Sequence, residues 1–142
     1  LLGAHTRPPM PEPANPDPLP AYVTLEPGES RRSVERDLET GATTYRVMED
    51  GGLIEHPGNG LRAGEIRDEA WTITAGDPLS ARGTARWTCR VERAGWSVTT
   101  AITATLACSA TTWEITASIE AREGDTPVAS RVFAASIPRD LM

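Results

Sequence analysis

ARWTCRVERAGWSVTTAITATLACS (Ala85–Ser109) alternates apolar and polar residues along its whole length. Trp87, Cys89 and Val91 are interleaved with Arg86, Thr88 and Arg90. After Ala94-Gly95, Trp96, Val98, Thr100, Ile102 and Leu106 are interleaved with Ser97, Thr99, Thr103 and Thr105. A period of two marks strands with one face toward a core and one toward water. A two-residue loop at Ala94-Gly95 sets Arg93 opposite Trp96, Val91 opposite Val98, Cys89 opposite Thr100 and Trp87 opposite Ile102. Both strands then put their apolar residues on one side. A slip of one residue would set Val91 against the polar face.

That register separates the two cysteines. Cys108 falls opposite Ala81, eight residues from Cys89 along its strand, or about 27 Å. A disulfide needs Cα atoms closer than about 7 Å. Free, buried thiols are expected, consistent with a reducing cytoplasm, and two cysteines are too few for a disulfide scaffold.

Working outward, Trp113, Ile115, Ala117 and Ile119 alternate with Glu114, Thr116, Ser118 and Glu120. REGDTP (Arg122–Pro127) reads as a turn, and VASRVFAASI as a last strand stopped by Pro138. GEIRDEAWTIT (Gly64–Thr74) is a strand, and PGNG (Pro57–Gly60) a turn. EDGG, around Asp50 and Gly51, reads as a further turn. SRRSVERDLET carries Val34 and Leu38 at helical spacing, but Thr40-Gly41-Ala42 and the strand-like TTYRVME follow, so the pair is read as a hairpin. Strands of about 13 residues exceed the usual length and must twist. The expected fold is all-β: a long-stranded, strongly curved antiparallel meander, half-barrel or barrel-like, over residues 21–142. The four Trp fit the apolar phase of their strands and are expected to fill the concave side as core.

Residues 1–20 are different. RPPMPEPANPDPLP (Arg7–Pro20) excludes helix and central strand, because each Pro lacks an N–H and fixes φ. It is expected to be an extended linker or strap. The chain opens on Leu1-Leu2-Gly3 without an initiator Met, as expected of a processed or excised chain. No apolar run approaches the roughly 18 residues of a membrane span.

The formal net charge is −6, and all 14 basic residues are Arg. An acidic excess argues against nucleic-acid binding. His5 and His56 lie far apart with no cysteine at metal spacing, so no metal or other cofactor is expected. No G-x-S-x-G elbow, G-x-G-x-x-G or phosphate loop occurs, and Ser80, after Asp77-Pro78, reads as a turn residue. Carboxylates cluster at Glu49-Asp50 and at Glu65, Asp68 and Glu69. A pair could serve acid–base chemistry, but solvated charge is the commoner meaning on a strand.

Four strings, GDPLSARGTARWTCR, GWSVTTAITATL, IEAREGD and SIPRDLM, together resemble the C-terminal end of bacterial CocE/NonD-type hydrolases, relatives of X-prolyl dipeptidyl-peptidases and cocaine esterase. The resemblance runs from Asp77 to Met142, about half the chain. It rests on Asp77, Pro78, Leu79, Ser80, Gly95, Trp96, Glu123, Gly124, Asp125, Ile137, Pro138, Arg139 and Asp140. The proline-rich opening resembles the connector after the jelly roll of longer members. The chain departs from the family at Phe133, Ala134 and Ala135, where the last strand of relatives has Trp and acidic residues.

The resemblance implies a parent with an α/β-hydrolase domain, a helical cap and a jelly roll. Its Ser-His-Asp triad would lie upstream, so no catalytic residue carries over. The expected role is a non-catalytic C-terminal module that packs on the upstream catalytic domain or pairs subunits as a homo-oligomer. Arg139 and Asp140 could anchor the tail. Two rival readings are a ligand-binding module whose Trp residues (Trp71, Trp87, Trp96, Trp113) line a cavity, and an enzyme built on Glu65, Asp68 and Glu69.

Overall fold

The structure is a computed structural model and describes residues 21–140. The proline-rich segment assigned to residues 1–20, His5 with it, and the last two residues lie outside the described residues. Eight strands make up the rest: β1 (Val23–Glu26), β2 (Glu29–Arg36), β3 (Ala42–His56), β4 (Leu61–Thr74), β5 (Asp77–Arg93), β6 (Trp96–Cys108), β7 (Thr112–Glu123) and β8 (Thr126–Pro138). They form one antiparallel sheet. From β3 to β8 each strand pairs with the next in sequence. The sheet is open: β8 ends it on one side, and β1 and β2 end it on the other.

The β5–β6 hairpin has the register that the alternation dictates. Arg93 pairs with Trp96, Val91 with Val98, Cys89 with Thr100 and Trp87 with Ile102. Gly95 takes φ +76°, which the tight turn asks of its last residue. Cys89 and Cys108 are free and half-buried. SRRSVER is a strand, paired along its length with β3. Asp37 closes that hairpin, its carboxylate accepting from the N–H groups of Glu39 and Thr40 at 2.8 and 3.1 Å. This is the Asx-type turn that competes with helix in such sequences. The strand expected from Gly64 starts three residues earlier, at Leu61.

One turn assignment is corrected. Asp50-Gly51-Gly52 does not reverse the chain but forms a bulge inside β3, where the register jumps between Asp50 and Leu53. β1 pairs with β3 beyond the bulge, as Val23 with Glu55, and β2 before it, as Glu29 with Asp50. Pro27-Gly28 passes between them opposite the bulge. Gly52 has φ +70°, and a Cβ there would strike the Glu26 carbonyl oxygen and sit 2.9 Å from the Pro27 carbonyl carbon. A Cβ on Gly28 would strike the Asp50 carbonyl oxygen. Glycine is required at both positions because backbone meets backbone there.

The expectation of a Trp-filled core is also corrected. The sole buried hydrophobic residue among the described residues is Leu53, beside the bulge. Trp71, Trp87 and Trp96 are 45%, 40% and 39% exposed. Among the described residues no second layer lies against the sheet, and a single layer has no interior to fill. Its two faces nonetheless differ sharply. Trp71, Gly83, Leu106, Ile115 and Ala135 form one cross-strand row, and Trp87, Ile102 and Ile119 another on the same side. The opposite side carries rows such as Arg86, Thr103 and Ser118. From Ala101 to Cys108 and from Trp113 to Ala121, residues of the apolar side are half-buried and those of the other side exposed. A sheet that curls around its apolar side produces this alternation.

Candidate functional site

The feature that calls for a function is the apolar face. It is built by β5–β8, whose inward residues over this half are Ala, Ile, Leu, Val, Trp and Phe almost throughout. Phe133 and Ile137 of β8 are 53% and 47% exposed. Full burial of one such side chain gains about 1.5–3 kcal/mol. On folded proteins, exposed apolar patches larger than a few hundred Å² are features of interaction surfaces and ligand grooves.

On the β2–β4 side the face ends in charge. Glu49 sits between two guanidinium groups, Arg32 at 2.9 Å and Arg67 at 2.8 Å. Glu65 accepts a hydrogen bond from the Trp87 indole N–H at 3.2 Å. That bond ties the charged border to the first Trp of the apolar half.

At one end of the face lies a trough of about 430 Å³, lined by Tyr45, Trp71, Ile73, Leu106 and Trp113 among others. Its floor is Gly83. A Cβ there would come within 2.6 Å of the Trp71 ring, so the indole lies flat over the glycine backbone. Glycine inside a strand here marks the close approach of an aromatic ring. Sequence reading gave Gly83 no role, although a lone Gly among alternating residues is the available signal.

The carboxylates do not converge. Glu65 and Glu69 lie on the apolar side, whereas Asp68 points to the other, because neighbours on a strand face opposite ways. Asp68 is held by Arg46 through two hydrogen bonds of 2.9 and 2.6 Å. The Arg46 guanidinium keeps its carboxyl below the ordinary carboxylate value, and Arg46 in turn is shifted upward by Asp68. A general acid would require the opposite shift. Glu49 and Asp50 are likewise on opposite sides, the latter accepting from Gly52 N–H at 2.8 Å across the bulge.

Ser80 stands near the start of β5. Its hydroxyl donates to the Asp77 carbonyl and accepts from Thr74 N–H, both at 2.7 Å, which closes the β4–β5 turn. Asp77 accepts from Leu79 N–H at 3.0 Å. His56 precedes the Pro57–Gly60 turn, and its carbonyl accepts from Gly60 N–H at 2.8 Å. Among the described residues no three His, Cys, Asp or Glu side chains gather in a metal-binding group. No helix among them is long and apolar enough to cross a membrane.

The residue after β8 is anchored. Arg139 donates to the Ser109 carbonyl at 2.8 Å, its guanidinium lies 4.9 Å from the centre of the Trp113 ring, and its N–H bonds the Thr111 carbonyl at 2.8 Å. A cation over an indole and two backbone bonds fix Arg139 to the β6–β7 turn. Asp140 is exposed.

Searches of protein-family models, curated proteins and solved structures find no match to the chain.

Proposed function

We propose that this chain is a non-catalytic β module of a larger serine α/β-hydrolase of the CocE/NonD type, cytoplasmic and bacterial. In this reading its apolar face packs against the rest of that enzyme. The observation that carries the proposal is the imbalance of the sheet: one buried hydrophobic residue among the described residues against a broad apolar side that is at most half-buried. A single-layer sheet gains little from burial on its own, so the partner layer has to come from elsewhere. The ordered strings from Asp77 to Met142 supply the family. Ester or amide hydrolysis belongs to the upstream part of the parent, and the divergent Glu65, Asp68 and Glu69 are consistent with a module that only supports it.

A second reading, a ligand-binding module, draws on the Trp71–Trp113 trough, whose size suits a small apolar molecule. Such a ligand would occupy one end of the face and leave Trp87, Trp96 and Phe133 uncovered. A protein layer matches the extent of the face better.

The test is hydrolysis of a simple p-nitrophenyl ester by the 142-residue chain and by the complete product of its gene. The proposal expects turnover by the complete product alone. Turnover by the 142-residue chain that Glu65→Gln abolishes would overturn it.

A further inference from the structure

The two edges of the sheet are built differently. β2 carries Glu29, Arg31, Arg32, Glu35 and Arg36 in eight residues, the charged edge by which sheets avoid pairing with one another. β8 is 13 residues long, ends the sheet, is exposed throughout and has one charge, Arg131. Val128, Val132 and Phe133 are 55%, 78% and 53% exposed. A long, weakly charged edge of this kind is a template for another strand.

We propose that β8 pairs with β8 of a second copy of this chain, antiparallel about a two-fold axis at Val132. The sequence of the strand selects both the partner and the register. An antiparallel strand meeting itself about a two-fold axis is self-complementary. Its two apolar sides continue one another only in registers that pair odd residues with odd, or a face would flip. Within that set, an axis at Arg131 would set two guanidinium groups directly opposite, which is repulsive. An axis at Phe133 leaves Arg131 opposite Ala135. An axis at Val132 sets each Arg131 opposite Phe133 of the second copy, on the apolar side, giving two cation–aromatic pairs. Pro127 and Pro138, which donate no backbone hydrogen bond, then fall at the two ends of the shared ladder. The apolar face becomes continuous across the pair. This inference deepens the packing role proposed above by naming the partner of one edge. It concerns an edge and not the face, so the ester assay and the test below can fail separately.

The test uses the 142-residue chain with Cys89→Ser and Cys108→Ser, into which Val132→Cys or Ala129→Cys is placed. Residues directly opposite in an antiparallel pair have Cα atoms about 4.5–5.5 Å apart, within disulfide reach. Two copies of position 129 would lie about 20 Å apart in this register. Oxidation is expected to give a covalent dimer with Val132→Cys and none with Ala129→Cys. Sedimentation of the otherwise unaltered chain is expected to show a dimer whose Kd rises at least tenfold with Val132→Lys, a change at an exposed site that leaves the sheet intact. A monomer at every concentration, equal cross-linking at both positions, or a dimer indifferent to Val132→Lys would overturn the proposal.

Discussion

Asp68 shows what a single residue here can and cannot do. On a strand, its neighbours Glu65 and Glu69 look to the other side of the sheet, so sequence proximity never becomes a catalytic pair. What Asp68 has instead is the two-point grip of Arg46. Its folded-state value is depressed, so the ion pair stabilises the sheet fully above the ordinary value of 3.8 and loses that contribution as pH falls below it. Asp68→Asn is therefore expected to melt below the unaltered protein at pH 7, with the gap closing as pH falls below about 4. High salt is expected to narrow the gap at pH 7, because both partners touch solvent. Thermal melts at the two pH values and at two salt concentrations check this. A gap that widens in acid would contradict the assignment. The cluster was visible in the sequence, and its division between faces follows from strand alternation once Gly64–Thr74 is read as a strand. The Arg46 partner was not visible, because it lies on another strand and depends on the β3–β4 register.

At the scale of elements, the hairpins were legible and the bulge was not. The two-residue Ala94-Gly95 turn and the apolar phase of Trp87, Cys89 and Val91 against Ile102, Thr100 and Val98 agree on one register, and β5–β6 adopts it. EDGG was misread because glycine pairs signal any backbone that leaves the strand region, whether it reverses direction or only inserts a residue. The distinction depends on what lies across from it, here the Pro27-Gly28 crossing. Gly52→Ala tests that account. An L-residue at φ +70° is strained, and its methyl would meet the Glu26 carbonyl. A loss of more than about 1 kcal/mol is expected in a urea titration. A loss no larger than that of an exposed mid-strand substitution would show that the bulge is not fixed by backbone contact.

For the whole molecule, periodicity revealed which residues share a side but not what lies against it. Trp71, Trp87, Trp96 and Trp113 do share one face, as their phase requires, yet three of them stand open because no layer of the described residues covers them. Amphipathic alternation looks the same whether the apolar side is sealed within one chain or by something else. The anchored Arg139 and the charged border at Glu49 frame that face without closing it. The central claim is that this face is a packing surface, and its solvent exposure tests the claim most directly. Hydroxyl-radical footprinting should oxidise Trp71 and Trp87 readily in the 142-residue chain and show both protected several-fold in the larger hydrolase proposed above. Equal oxidation in the two would contradict the account, since the face would then be bare in the working protein.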